Sequence, residues 1–324
     1  MPPLNMVQAI NQALQQEMQV DDSVIVLGED VGVDGGVFRV TDGLLAEFGP
    51  ARVIDTPIAE SGIVGSSIGM AIAGLKPVAE IQFEGFSYPA LDQLISHASR
   101  MRSRSRGRFH VPLVIRMPHG GRVNALEHHS ESPETHFVHT PGLKCAIPST
   151  PYDAKGLLLA AIRDPDPVIF LEPKKLYRLF RQEVPEGPYT IPLGKASVVH
   201  EGEDITIIAY GSLVHDALQA AESLSEKYKV EVIDLRSLSP LDKDTILKSV
   251  IKTGRCIVVH EAPKTLGMAS EIIAILNEHA LYDLQAPVAR LTGYDTIVPL
   301  PKLEKYYQPS QQKIMAKIHE VMQQ

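Results

Sequence analysis

Apolar positions along the chain follow two periods. After Asn5, residues Met6, Val7, Ile10, Leu14 and Met18 recur at helical spacing, and an asparagine ahead of such a run caps a helix. Short apolar runs follow, and Ser23–Leu27, Pro77–Phe83, Leu113–Met117 and Val168–Leu171 predict strands. Helical stretches over Gly62–Gly74, Tyr88–Arg102 and Asp153–Arg163 separate them. Short, almost wholly apolar strands alternating with helices predict a parallel sheet covered on both faces. The stretch 184–193 (VPEGPYTIPL) holds three prolines and a glycine and reads as a linker. The pattern then restarts, with strands at Ile205–Ala209, Val230–Leu235, Cys256–His260 and Val288–Thr292 and helices at Leu213–Leu224, Asp242–Ile251 and Met268–His279. The expected architecture is α/β with mainly parallel sheets in two domains, 1–183 and 199–324, joined by a linker over 184–198.

Composition narrows the class. With 44% hydrophobic and 22% charged residues the 324-residue chain can bury ordinary cores. No run of 18 apolar residues is present, so no membrane span is expected. The start of the chain lacks the basic-then-apolar pattern of a signal peptide, and Cys145 and Cys256 stand far apart. Both features predict a cytoplasmic protein with reduced, buried thiols. A net charge of −8 argues against nucleic acid as a partner. One local exception is the alternating series Arg100, Arg102, Arg104, Arg106 and Arg108, which lacks interleaved aromatics and reads as a solvated, partner-facing segment.

No phosphate-binding glycine loop and no nucleophile elbow occurs. The small-residue run Gly62–Gly74 reads as a tightly packed, buried helix. Glu60 stands where a loop enters that helix. It reads either as a first-turn carboxylate favoured by the helix dipole or as a carboxylate held against an apolar wall, able to share a proton with a ligand nitrogen. His110, His119, His128, His129, His136 and His139, half of the twelve histidines, fall within thirty residues. Pro133 in a first turn would set His136 and His139 on one helix face, but no further spacing completes a zinc site. His129, in a glycine-containing loop region, is the better acid/base candidate.

Several stretches taken together resemble one family. They are Leu27–Gly32 (LGEDVG), Gly35–Arg39 (GGVFR), Asp55–Glu60 (DTPIAE), Glu80–Phe83 (EIQF), His129-Ser130, Pro141–Lys144 (PGLK), Pro148–Leu157 (PSTPYDAKGL), Asp166–Glu172 (DPVIFLE), Glu231–Arg236 (EVIDLR) and Ser249–Arg255 (SVIKTGR). Over essentially its whole length the chain is similar to the β subunit of the decarboxylating first component of 2-oxo acid dehydrogenase complexes. The resemblance implies a pyrimidine-binding domain followed by a transketolase C-terminal-like domain. It implies thiamine diphosphate bound between two subunits of an α2β2 heterotetramer, with the α subunit gripping the diphosphate and its magnesium. Glu60 matches the glutamate that bonds a pyrimidine ring nitrogen and favours the imino tautomer. Ile58, Gln82 and Phe86 match positions lining the pyrimidine pocket, and His129 matches a histidine at the substrate end. Backbone oxygens of Leu113, Ala161, Ile162, Asp164 and Asp166 match a potassium site. An acyltransferase core with its lipoyl domain is the further implied partner.

Two departures stand out. Relatives commonly carry a third glycine where this chain has Arg122, and Tyr-Arg-Ser-Gly-Gly where it has Ser103–Gly107 (SRSRG). His128 beside His129 leaves the active histidine open by one position. The substrate also stays open. Phe170–Arg178 leans toward branched-chain relatives, whereas Arg181–Gly187 with Tyr189–Pro192 leans toward bacterial pyruvate relatives, and pyruvate is slightly favoured over branched-chain 2-oxo acids or acetoin. Competing readings are a noncatalytic assembly subunit, a transketolase-type enzyme complete in one chain and a nucleotide-binding electron-transfer module.

Overall fold

A computed structural model describes residues 3–324. Its contacts divide the chain into two compact units. The first reaches His119 and resumes over His136–Leu193, and the second comprises Gly120–Thr135 and Gly194–Gln324.

The first unit is built on strands β1 (Val24–Gly28), β2 (Val53–Asp55), β3 (Lys76–Glu80), β4 (Val114–His119), β5 (Lys144–Ala146) and β6 (Val168–Pro173). They lie side by side in the order β5-β6-β4-β3-β1-β2, all parallel. Every residue of β1, β4 and β6 is buried, as expected for a sheet covered on both faces. The helix Met6–Val20 starts at a capping box. The Asn5 side chain accepts from the Gln8 N–H (3.0 Å) and the Gln8 side chain accepts from the Asn5 N–H (3.2 Å). Its buried stripe, Met6, Ile10, Leu14 and Met18, joins a core with Leu157, Leu158 and Ile162 of the helix Pro151–Arg163. That second helix is capped by Thr150 and carries proline in its first turn. Strands β2 and β5 are three residues each, too short to show a period in the sequence.

The stretch Tyr88–Arg102 is not the single helix that its pattern predicts. It runs as a 3-10 turn (Tyr88–Ala90), a π-helical turn (Gln93–His97), another 3-10 turn (Ala98–Arg100) and a short α-helical turn (Met101–Arg104). Side chains compete for its carbonyls, since Ser99 Oγ and Arg100 Nε both donate to the Ile95 oxygen at 2.9 Å. The backbone at Gly142 also abuts the Ser99 carbonyl so closely that a Cβ there would lie 2.2 Å from it. The arginines beyond it disperse. Arg102 pairs with Asp166 (2.8 Å), and Arg104 donates to the Ser96 carbonyl (3.0 Å).

At the carboxyl ends of the central strands one cation is buried among acids. Arg116 on β4 donates twice to Glu172 on β6 (2.7 and 3.0 Å) and once to Glu80 on β3 (2.7 Å), and the Tyr177 hydroxyl donates to the same Glu172 carboxylate (2.7 Å). All four side chains are essentially inaccessible. Burial pushes Glu80 above the ordinary carboxylate range despite Arg116 beside it. Burial opposes the Arg116 charge, but Glu172 and Glu80 outweigh it and hold the guanidinium protonated. Burying such a group costs several kcal/mol per ion, which the charge-assisted bonds offset only while the set is complete.

The second unit carries strands β7 (Ser197–His200), β8 (Ile205–Ala209), β9 (Val230–Asp234), β10 (Cys256–Val259) and β11 (Ala289–Leu291) in the order β11-β10-β8-β9-β7. All neighbours are parallel except β7, which runs antiparallel to β9. Helices Leu213–Ser223 and Gln311–Val321 close its core, the latter starting at a Ser310 cap and burying Ile314, Ile318 and Val321. Both cysteines are buried thiols. Among the described residues no helix is long and apolar enough to cross a membrane. His260 follows β10 fully buried, and its Nδ1 donates to the Ala262 carbonyl (3.1 Å). Burial lowers its pKa to about 4, against a smaller opposing effect of that hydrogen bond.

Arg116→Met strands two carboxylates in the sheet and should cost about 3–5 kcal/mol in chemical denaturation; a loss within 1 kcal/mol would show the pair to be dispensable. His260 binds its proton less readily folded than unfolded, so its contribution to stability falls as pH drops from about 6.5 to about 4. His260→Gln should therefore flatten the melting temperature against pH across that window.

Candidate active site

In a parallel sheet the loops leaving the carboxyl ends of the strands form the ligand-binding edge. In the first unit this edge is tightly organised. At Gly28 a Cβ would lie 2.7 Å from the Glu80 carbonyl, so only glycine lets β1 end this close to β3. The Asp55 carboxylate, ending β2, accepts from the N–H groups of Gly32 (2.6 Å) and Val33 (3.1 Å), and the Thr56 N–H donates to the Gly28 carbonyl (2.9 Å). These bonds tie the loop after β1 to the segment that carries Ile58 and Glu60.

Glu60 opens the helix Glu60–Ile72 and is half-buried. Ala59 ahead of it offers no side-chain cap, so Glu60 is the anion of the first turn. Ile58, two residues earlier in the chain, is 83% exposed. Glu29 is raised above the ordinary carboxylate range first by burial and then by the negative charge of Glu60, Asp30 and Glu80. The helix departs from the expectation of a fully buried element. Ile63, Val64, Ser67, Ile68 and Ala71 are buried, whereas Gly62, Ser66, Gly69 and Ala73 form an exposed stripe. Small residues on that stripe leave the backbone open to close approach.

Gln82 follows β3 on the same edge, and its amide donates to Asp30 (3.2 Å). Phe86 ends the 3-10 turn Glu84–Phe86, with its ring 5.4 Å from Phe83, which meets Phe38 edge-on at 5.5 Å. Glu84 in that turn is buried against His119 at the end of β4. Ile58, Glu60, Gln82 and Phe86 therefore leave one edge of one sheet. Sequence reasoning singled out neither Glu29 nor the Glu84–His119 pair. Their burial comes from strand order, which no local pattern displays.

His129 lies apart from these in chain organisation, on the segment Gly120–Thr135 of the second unit. It is half-buried, and its Nδ1 donates to the Glu127 carbonyl at 2.7 Å, which puts the basic lone pair of the neutral ring on Nε2. His128 is exposed in a left-handed backbone (φ 64°). Arg122 (φ 69°) and Asn124 (φ 54°) share that conformation, and such non-glycine residues cost roughly 1–3 kcal/mol each. His136 lies in the short helix Glu134–Val138 and His139 just beyond it. Among the described residues neither belongs to a group of three converging metal-ligating side chains.

Comparison with known proteins decides the family. The family described as "Transketolase, pyrimidine binding domain" matches residues 2–179, and "Transketolase, C-terminal domain" matches residues 194–314. The chain is 56% identical over 319 residues to the pyruvate dehydrogenase E1 component subunit beta of Acholeplasma laidlawii, covering 98% of each chain. It is 51% identical over the full length of both chains to the protein of the same name from Bacillus subtilis (strain 168). The chain belongs to the E1 β-subunit family. Its fold is also that of a solved structure titled "Split gene transketolase, inactive beta4 tetramer", with a TM-score of 0.80, 22% identity and 99% coverage of both chains.

The segments that carry Leu113, Ala161, Ile162, Asp164 and Asp166 meet where the helix Pro151–Arg163 ends. The Leu113 carbonyl accepts from the Val168 N–H (2.9 Å) and that of Ala161 from the Asp164 N–H (3.2 Å), leaving each a second lone pair. The Asp164 carboxylate is held by Lys144 (2.6 and 2.7 Å), and Asp166 is shared between Arg102 (2.8 Å) and Lys144 (3.8 Å). Both carboxylates are thus paired with cationic side chains, and the helix dipole makes the carbonyls at this end electronegative. In the first E1 β unit, Asp55→Ala should leave the Gly32 and Val33 amides unpaired and speed their hydrogen exchange at least tenfold relative to those of β1; equal protection in the variant would show that Asp55 does not fix this loop.

Proposed function

We propose that this chain is the β subunit of a thiamine-diphosphate-dependent 2-oxo acid dehydrogenase, active with an α subunit as an α2β2 heterotetramer. The observation that carries the reading is Glu60 at the start of its helix, half-buried beside the exposed side chain of Ile58. A carboxylate edge next to an apolar face fits an aminopyrimidine, which is planar and apolar above and below and carries ring nitrogens at its rim. Gln82 and the Phe86 ring, on the same sheet edge, suit the remaining rim and face. The matched family name, a pyrimidine-binding domain, supports this use of the first unit.

Thiamine diphosphate, when bound, supplies the nucleophilic carbon and the electron sink for decarboxylation. Glu60 holds a proton against a pyrimidine ring nitrogen, where a short charge-assisted bond sets the ring's tautomer. Ile58 excludes water from the ring face, which strengthens that bond. His129 takes or gives a proton at Nε2 as the acyl group passes to a lipoyl group of the acyltransferase core. The α subunit holds the diphosphate and magnesium, consistent with a chain that carries no phosphate-binding glycine loop. The carbonyls of Leu113, Ala161, Ile162, Asp164 and Asp166 would hold a potassium ion, which would steady the end of the helix Pro151–Arg163.

Pyruvate is the proposed substrate, supported by full-length identity of 49–56% to proteins named for it. The protein acts in the cytoplasm in this reading. Glu60→Gln keeps the size and the bonding reach of the side chain but removes the exchangeable carboxyl proton. It should leave the α2β2 assembly intact while lowering decarboxylation by at least a hundredfold; near-normal turnover would remove Glu60 from the mechanism. In the same assay kcat/KM should favour pyruvate over 3-methyl-2-oxobutanoate, and the reverse ratio would reassign the substrate.

A further inference from the structure

The loop bearing His129 takes a path that its residues resist. Arg122, Asn124 and His128 are all left-handed, as is Gly120 (φ 76°). Acids of the same unit hold it there. Glu261 accepts from the Gly121 N–H (2.9 Å) and from the Ser212 hydroxyl. Glu304 accepts from the N–H groups of Arg122 and Asn124 (3.0 Å for the latter). The Gly120 N–H donates to the Glu131 carbonyl (3.2 Å), closing the base of the loop, and the His129 N–H donates to the Leu126 carbonyl (3.2 Å). The bonds to the loop itself use backbone donors and would form with any residue. One further contact depends on a loop side chain. The Arg122 guanidinium grips Asp216 with both nitrogens, Nη2 to Oδ1 at 2.8 Å and Nη1 to Oδ2. Both side chains are largely buried, and Asp216 sits in the first turn of the helix Leu213–Ser223, where the helix dipole favours its charge.

The left-handed backbone at position 122 is one that glycine adopts freely. Glycine would enter this conformation without cost but could not reach Asp216. Arginine accepts the backbone strain and gains a bidentate, desolvated ion pair to a rigid helix. We propose that Arg122 and Asp216 form a latch that holds the loop Gly120–Ser130 in its strained path, and that they act as positioning residues for His129. The inference rests on the catalytic role given to His129 above.

The test uses the assembled α2β2 holoenzyme carrying Arg122→Gly, Asp216→Asn, both together, or Arg122→Lys. Asp216→Asn removes the charge and one of the two acceptor oxygens that hold the strained arginine, so amides of 120–130 should exchange at least tenfold faster than wild type, with β8 and β9 unchanged. Acyl transfer to a lipoyl acceptor should fall roughly ten- to a hundredfold in kcat, as expected for a misplaced proton-transfer group, while the KM for thiamine diphosphate stays within about twofold. The double variant should be no worse than Asp216→Asn, and Arg122→Lys, which keeps the charge but not the fork, should recover part of the rate. Wild-type loop exchange in Asp216→Asn would overturn the latch. Faster exchange with unchanged kcat would overturn the positioning role. Wild-type holoenzyme inactive on every 2-oxo acid would instead sink the proposed function, with the exchange measurement still deciding the latch.

Discussion

A guanidinium enclosed by two carboxylates organises the first unit. Arg116 binds the strands on either side of it, β3 through Glu80 and β6 through Glu172, at the level where their carboxyl ends open into loops. Gln82 and the turn Glu84–Phe86 leave β3 within a few residues of that bond, so the direction in which they leave is set by it. A buried ion group of this kind contributes little net stability over apolar packing, but it is satisfied in only one register. One residue of slip would place Glu80 on the opposite face of its strand and leave the charge unpaired. Precision at the candidate pyrimidine edge is thus inherited from a polar contact in the sheet beneath it.

The loops above that contact are fixed by backbone capture. Asp55 holds two amides of the loop after β1, and in the second unit Glu261 and Glu304 hold three amides of the loop that carries His129. Carboxylates on rigid elements are suited to this work because each accepts several N–H bonds without moving. What the chain leaves uncovered is equally informative. Ile58 and the small-residue stripe of the helix Glu60–Ile72 stand open beside Glu60, in a chain that carries no diphosphate loop of its own. These features agree with a site that a second subunit completes.

Much of this was legible in sequence wherever the signal is local. The strand Ile205–Ala209 and the helix Met268–His279 fall where the pattern puts them, because the first is an unbroken apolar run and the second a longer stretch of helical period. The family was legible because its motifs keep their order along the chain. The broken helix over Tyr88–Arg104 was not, since its path depends on the Gly142 backbone, some forty residues away, and on side chains competing for the Ile95 carbonyl. The half-exposed helix after Glu60 was also misread. Glycines and serines mark close approach, but they do not say whether the approaching surface belongs to the same chain. Arg122 was visible as a departure, while its partner Asp216, ninety-four positions away, was not.

The central claim is that this chain supplies half of a shared thiamine site. The most direct measurement is decarboxylation of pyruvate by the chain mixed with its α partner, thiamine diphosphate and magnesium, set beside either chain alone. Turnover only in the mixture is the predicted result. Turnover by this chain alone, or a well-formed cofactor-loaded heterotetramer without turnover on any 2-oxo acid, would contradict it.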